Sequence, residues 1–365
     1  MKILYVTTIG GTMGFFQPYI KQLIDQGHTV DIACSQTEKV RECYREWGCR
    51  IHSLSCSRSP LDKGNLKAIK QIKGLVEENR YDIVHCHTPI AAACTRLACR
   101  KARKQGTKVI YTAHGFHFYD GAPLKNWLIF YPIEKLCAHF TDLLITINKQ
   151  DYARAQKKLR AKKVCYIPGV GIDVEKFASV QIDRKEKREE LGIPEDAFVM
   201  LSVGELNENK NQSVVIRALA QLNDPNVYYI IAGHGGMKDA MEKLALELGL
   251  EKQVHLLGFR RDVAELYQAA DVFVHPSFRE GLPVSIMEAR AAGMPIVCSD
   301  IRGNSDLVNE AFRFDPTDPD RLAEILKTVG DRAQTAQACG ESVLPLEQMR
   351  TDYINAQLME LYTKV

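Results

Sequence analysis

The stretch Ser277-Phe278-Arg279-Glu280-Gly281-Leu282-Pro283-Val284-Ser285-Ile286-Met287-Glu288 sets two carboxylates eight positions apart across the start of a helix. Val272-Phe273-Val274 before it is an apolar strand, and Glu280-Gly281 lie in the loop that follows. Pro283 suits a first helical turn, where a missing N–H costs nothing. Val284 to Ala292 then reads as helix, stopped by Gly293-Met294-Pro295. A helix start offers unpaired backbone N–H groups and a positive dipole end, so it can hold a phosphate. Pro283 cannot donate, which leaves the amides of Leu282, Val284 and Ser285. Phosphates need donors, whereas sugar hydroxyls are served by carboxylate acceptors. One helix start can therefore hold the diphosphate of a sugar nucleotide while Glu280 and Glu288 take hydroxyls. The plainer alternative is a capped surface helix with a solvated Glu288.

Outward from this stretch, strands alternate with helices. The first half predicts strands at 2–7, 29–34, 82–87, 108–112, 143–147 and 164–167, with helices including 16–26, 66–78 and 90–104. The second half predicts strands at 198–203, 228–232, 254–257, 272–275 and 296–298, with helices including 212–221, 237–248 and 262–268. Two successive βαβ series imply an α/β protein with two Rossmann-like, doubly wound parallel sheets, whose ligands sit at the carboxyl ends of strands. Pro168-Gly169-Val170-Gly171-Ile172-Asp173, followed by the charged run 183–190, is the linker candidate. Domains are expected at 1–172 and 173–345, with 346–365 closing the chain as a helix.

At 365 residues, two domains are the default. With 45% hydrophobic and 25% charged residues the composition is that of a soluble globular protein. No apolar run approaches the ~20 residues that span a bilayer. Met1 to Val6 is too short for a signal peptide and reads as a strand entering the turn Gly10-Gly11. Eleven scattered cysteines without a C-x-x-C pair suit free thiols in a reducing cytoplasm. His85-Cys86-His87 has a metal-like look, but strand alternation explains it more simply.

Charge is unevenly spread. Residues 1–172 hold 27 Lys+Arg against 13 Asp+Glu, a balance of +14; the remainder holds 21 against 32, a balance of −11. The basic clusters are Lys63, Lys67, Lys70, Lys73; then Arg96, Arg100, Lys101, Arg103, Lys104; then Arg154, Lys157, Lys158, Arg160, Lys162, Lys163. Together they suggest an anionic membrane surface or a lipid diphosphate. Nucleic acid is disfavoured, because no aromatic residues interleave with the basic ones for base stacking.

Further candidates stand at strand ends. Gly11, in Gly10-Gly11-Thr12, follows the first strand, although the turn is not G-x-G-x-x-G. Thr112-Ala113-His114-Gly115-Phe116-His117-Phe118 offers two imidazoles, His114 and His117, one of which can hydrogen-bond a sugar, or pack as an aromatic-loop histidine. In Val203-Gly204-Glu205-Leu206-Asn207-Glu208-Asn209-Lys210, Gly204 permits close approach and Lys210 can neutralise phosphate. Asp315-Pro316-Thr317-Asp318 contains D-x-D, but Asp318 reads better as the cap of a helix starting at Pro319, and no metal is expected.

Taken together these motifs resemble the glycosyltransferases of family 4, over nearly the whole chain. The Glu280-x7-Glu288 motif carries the resemblance, joined by Gly10-Gly11, His114-Gly115, Gly204…Lys210, Ala232-Gly233-His234-Gly235 and Leu257-Gly258. Tyr81–Pro89, Tyr111–Phe118 and Leu144–Asn148 are most similar to EpsD-type exopolysaccharide or capsule transferases. The resemblance implies a GT-B fold, with the domains facing a cleft, and transfer from a nucleotide sugar with retained anomeric configuration. The donor is expected to be a UDP-hexose or UDP-N-acetylhexosamine. It implies His114, Glu280 and Lys210 as catalytic. Gly11, Gly204, Lys210, Gly258, Glu280, Gly281, Leu282, Val284 and Glu288 would bind the donor: Glu280 at the sugar, Glu288 at the ribose, Lys210 at the diphosphate. It implies a polyprenyl-diphosphate-linked or glycan acceptor bound by the first domain, and no cofactor. Many members carry Arg where this chain has Glu205, so diphosphate charge here rests on Lys210 and backbone amides. With the basic first half, it points to a cytoplasmic protein peripheral to the inner membrane face. A UDP-sugar epimerase of the same fold and a non-catalytic sugar-nucleotide-binding protein are the alternatives.

Overall fold

Long apolar runs with both faces covered make parallel strands, and the first of them, Lys2–Ile9 (β1), is buried at six of its eight positions. The computed structural model describes residues 1–365. Its contacts form two units, Met1–Val170 with Thr351–Val365, and Gly171–Arg350.

The first unit adds β2 Thr29–Ser35, β3 Ile51–Ser53, β4 Ile83–His87, β5 Lys108–Ala113, β6 Leu143–Thr146 and β7 Lys163–Tyr166. All pair in parallel, in the order β3-β2-β1-β4-β5-β6-β7. Three helices matter below: α1 Gly64–Asn79, α2 Pro89–Ala98 and α3 Leu124–Ala138. The second unit holds β8 Phe198–Val203, β9 Val227–Ala232, β10 Val254–Gly258, β11 Val272–His275, β12 Ile296–Ser299 and β13 Arg313–Phe314, in the order β10-β9-β8-β11-β12-β13. Its helices α4 Gln212–Leu222 and α5 Val284–Ala291 follow β8 and β11. In each sheet the chain runs to one edge and returns, so a switch point opens beside β1/β4 and beside β8/β11. Ligands of such sheets bind outside the carboxyl ends of those strands.

Several expectations need correction. The edge strands β3 and β13 were not foreseen, because two or three residues show no readable alternation. The helix expected over 90–104 breaks at Cys99, whose N–H still bonds the Thr95 carbonyl at 2.9 Å, before a short helix Arg100–Lys104. The closing helix expected from Leu346 is a 3₁₀ turn, Leu346–Met349, then a helix Thr351–Lys364. Arg350 between them is extended because this stretch pairs with Ile172, whose N–H bonds the Met349 carbonyl at 2.8 Å. The later helix closes on the first unit: the Tyr362 hydroxyl lies 3.0 Å from the Tyr5 hydroxyl and 2.5 Å from His85 Nδ1. No helix is long and apolar enough to cross a membrane. None of the eleven cysteines is disulfide-bonded.

Candidate active site

Two loops leave the carboxyl ends of β8 and β11, either side of the second switch point, and they are stitched together. The Asn209 side chain donates to the Arg279 carbonyl at 3.0 Å, the Phe278 N–H to the Asn209 carbonyl at 2.8 Å, and Asn211 to the Pro276 carbonyl at 3.2 Å. Lys210 is held by its own N–H on Asn207 Oδ1 at 3.0 Å. Its ammonium lies 2.7 Å from Glu280 Oε1, with side chains 23% and 14% exposed. Sequence reading expected both residues at strand ends, and the structure brings them into contact.

Glycines let the backbone close up beneath them. The Gly233 N–H bonds the Gly258 carbonyl at 2.8 Å and the Gly204 N–H bonds the Ala232 carbonyl at 3.0 Å, so three glycines edge β10, β9 and β8. A Cβ on Gly233 would collide with the Gly204 carbonyl. On the other side Gly303, at φ +81°, packs against the Gly281 carbonyl where a side chain would clash.

His275, at the end of β11, was not singled out from sequence. It is buried, with Nε2 3.1 Å from Glu280 Oε1, 3.1 Å from Ser277 Oγ, and Nδ1 3.4 Å from Ser285 Oγ. This network assigns the proton to Nε2, which donates to Glu280 while Nδ1 accepts from Ser285. Burial lowers the His275 pKa, so the ring is neutral at pH 7. Burial also opposes ionisation of Glu280, but the His275 hydrogen bond and the Lys210 charge outweigh it and hold the carboxyl well below its usual range. Glu280 is thus an anion with a neutral donor on one side and a cation on the other. Arg302, buried, fixes the loop further by donating to the Glu280 carbonyl at 3.1 Å. The signal for His275 was available: His275-Pro276-Ser277 runs straight into the motif. Arg302 carried none.

Helix α5 starts at Val284, so Pro283 precedes the helix rather than sitting in its first turn; its ψ of 120° is extended. Leu282 is buried under this helix start and Val284 half-buried. One turn on, Glu288 is half-buried, with Oε2 3.3 Å from the Tyr267 hydroxyl, which donates to the Ser285 carbonyl at 3.0 Å. Burial pushes the Glu288 carboxyl up to about 7, against the pull of Tyr267. Its environment rules out the solvated surface charge of the plainer reading. The two glutamates of one motif are therefore tuned in opposite directions.

In the first unit His114 follows β5. Its Nε2 lies 3.1 Å from His87 Nδ1, and His87 stacks on Phe16 with ring centroids 4.1 Å apart. Burial lowers His114 to about 4 and His85 to about 3, so these imidazoles are neutral. Nε2 of His114 is thus taken by His87. Gly11 opens a 3₁₀ turn, Gly10–Phe16, and a side chain there would strike the Glu38 carboxylate. Glu38 itself is exposed, and it is the flexible end of its side chain that lies beside Gly11.

The basic clusters are thinner than their spacing suggested. Arg96 is fully buried on Glu134, Arg103 is paired with Asp142 at 2.8 Å, and Arg154 is buried and paired with Asp120 at 2.7 Å. Lys63, Lys67, Lys70, Lys73, Lys101, Lys104 and Lys157 to Lys163, apart from buried Leu159 and half-buried Ala161, remain exposed. Asp318 accepts from the Arg321 N–H at 2.9 Å as the cap of Pro319–Lys327, and Asp315 from Thr317.

Residues 183–343 match the model of the glycosyl transferases group 1, and residues 2–148 that of the glycosyl transferase 4-like family. A Bacillus subtilis protein named as glycosyltransferase EpsD is 40% identical over 314 residues, covering 85% of this chain and 81% of its own. The UDP-Gal:alpha-D-GlcNAc-diphosphoundecaprenol alpha-1,3-galactosyltransferase of Escherichia coli is 33% identical over 261 residues, 68% of this chain and 67% of its own. The crystal structure of Anabaena HepE in complex with UDP superimposes with a TM-score of 0.81 over 100% of both chains, at 23% identity.

Proposed function

The chain belongs to the family 4, group 1 glycosyltransferases and has their GT-B fold, and within that family we propose a retaining hexosyl transfer from a UDP-sugar to a lipid-linked acceptor. The observation that supports it most is the Lys210–Glu280 contact of 2.7 Å beside the β8/β11 switch point. Departure of UDP builds negative charge on its β-phosphate, and a cation already aimed there lowers the barrier. In this reading Lys210 leaves Glu280 for the diphosphate, assisted by amides at the start of α5. Glu280, kept ionised by His275, then accepts from sugar hydroxyls, and Glu288 takes the ribose. Gly204, Gly258 and Gly281 let backbone approach the donor, and His114 meets the sugar through Nδ1.

No enzyme nucleophile is invoked. The acceptor attacks the face the leaving group departs from, and the leaving phosphate takes its proton, which retains configuration. A UDP donor is favoured by the similar E. coli enzyme, whose name specifies UDP-Gal, and by the UDP-bound Anabaena fold. A polyprenyl-diphosphate acceptor is favoured by the same E. coli name and by the exposed lysines of α1. The likeness to the Bacillus protein favours exopolysaccharide or capsule assembly. We place the reaction at the inner membrane face, with residues 1–172 as the acceptor domain, 173–345 as the donor domain, and no metal.

Radiolabelled UDP-hexoses and UDP-N-acetylhexosamines, offered with a polyprenyl-diphosphate sugar, test the proposal. Expected is a labelled lipid-linked product with the donor's anomeric configuration, formed equally in chelator. Epimerised UDP-sugar without transfer, an inverted product, or activity restored only by Mg²⁺ or Mn²⁺ would each count against it.

A further inference from the structure

Helix α3 is built inside out. Its one carboxylate, Glu134, is buried on Arg96, whereas Leu124, Leu128, Ile129, Ile133 and Leu136 are exposed. Opposite, before and at the start of α1, Leu61 is 89% exposed and Leu66 67%. A surface helix normally hides such residues, and a concentration of them marks a surface that meets something apolar.

Between these leucines lies a cavity of about 400 Å³, within the ~300–1,000 Å³ of ligand sites. Leu66 and Ile69 of α1, Ile90 and Leu97 of α2, and Phe130 and Ile133 of α3 line it. One end is bounded by Phe116, His117 and Phe118, in the loop that begins at His114. Along α2 it runs from Pro89, just beyond the carboxyl end of β4, to Leu97, about 12 Å at ~1.5 Å per residue. At that far end a second cavity of about 810 Å³ shares Ile69 and Leu97 and is lined by Lys73, Arg100, Lys101 and Lys104.

A narrow apolar slot thus leads from the candidate sugar-contacting loop to a cationic basin. We propose that this slot holds the proximal isoprenoid units of a polyprenyl-diphosphate acceptor. The diphosphate lies at the His114 end, near Lys63, and the chain leaves past the basin. An apolar tail explains the lining, and the anionic group on the same molecule explains why one end of an apolar slot opens at a loop of histidines. The basin cations face the anionic surface from which such a lipid comes. The proposal rests on the lipid-linked acceptor argued above, and names its binding site.

The test is calorimetric binding of farnesyl diphosphate and of methyl diphosphate to the full chain. The wild type should hold the farnesyl form at least ten-fold tighter, a ratio that burial of about two methylene groups supplies. Leu97→Trp, which fills the slot, and Leu66→Glu, which charges its exposed mouth, should each bring the ratio to near one and leave UDP binding unchanged. Because Leu66 is exposed, Leu66→Glu keeps the test valid should Leu97→Trp melt early. A wild-type ratio near one, or a ratio surviving both substitutions, overturns the slot. So does an equal loss of binding to lipid vesicles lacking any prenyl compound, which makes the face a bilayer anchor. Since no transfer is measured, tail preference without transfer to any lipid acceptor would instead sink the functional reading.

Discussion

The two units each contain a cation held on a carboxylate, and the pairs differ in what else they touch. Arg96 and Glu134 are 0% and 7% exposed, meet through two contacts, and the guanidinium also bonds the Ala92 carbonyl at 3.0 Å and lies 4.2 Å over the Tyr111 ring. Both carboxylate oxygens and all three guanidinium nitrogens are engaged. Lys210 and Glu280 meet through one contact, remain partly open, and Glu280 has a second oxygen to offer. A bidentate pair closed off from solvent fixes a helix in place. A pair at a switch point with spare donors and acceptors can exchange each other for a ligand. On the proposed function the same chemistry is structural in one place and exchanges for a ligand in the other, and exposure tells them apart.

The sharpest way to break this contrast is to remove one cation from each pair. Arg96→Met strands a buried carboxylate and should cost about 3–5 kcal/mol of stability, read by denaturant unfolding, with Arg96→Met/Glu134→Leu recovering most of it. A loss below about 1 kcal/mol would show the pair to be no different from a surface bridge. Lys210→Ala should leave stability nearly unchanged yet lower kcat by about 10²-fold, the usual scale for a lost charge-stabilising donor. Unfolding of that variant alongside Arg96→Met would erase the distinction.

Smaller effects sharpen it. Reversing Lys67, Lys70 and Lys73 to Glu should weaken sedimentation with anionic liposomes at least ten-fold, given ~1 kcal/mol per basic residue, and salt should mimic the change. Equal binding to neutral vesicles would refute the membrane assignment. Glu288 gives the smallest signal. Its carboxyl, raised to about 7, is protonated below that pH and then offers ribose a weaker, neutral acceptor in place of a carboxylate. UDP affinity should therefore rise through pH 7 and the step vanish in Glu288→Gln. The sign for stability is opposite. A folded pKa above the unfolded one contributes stability that is lost as pH rises through 7. Glu288→Gln should accordingly raise Tm at pH 8, by about 2 °C, and not at pH 5.

The two parallel sheets were legible because fully buried strands leave continuous apolar runs, as in Val199-Met200-Leu201 and Phe273-Val274. The meeting of Lys210 and Glu280 was legible because loops after such strands gather at the switch point. The tuning of the two glutamates was not. Glu280 is held ionised by His275 and Lys210, and Glu288 is raised by its burial against the pull of Tyr267, and these surroundings arrive from the third dimension. Arg96 and Arg154 show the converse error: near-helical spacing groups cations but does not say which face is buried. Helix α3 escaped notice for a related reason, since its apolar residues fall all round and give no period to read.

The central claim, that Lys210 exchanges Glu280 for the donor diphosphate, is tested most directly by calorimetry of UDP on three proteins: wild type, Lys210→Ala and Glu280→Gln. The account predicts that Lys210→Ala binds UDP about ten-fold more weakly. Glu280→Gln, with its lysine released, should bind UDP at least as tightly as wild type while losing transfer. Equal weakening of UDP binding by the two substitutions would contradict it.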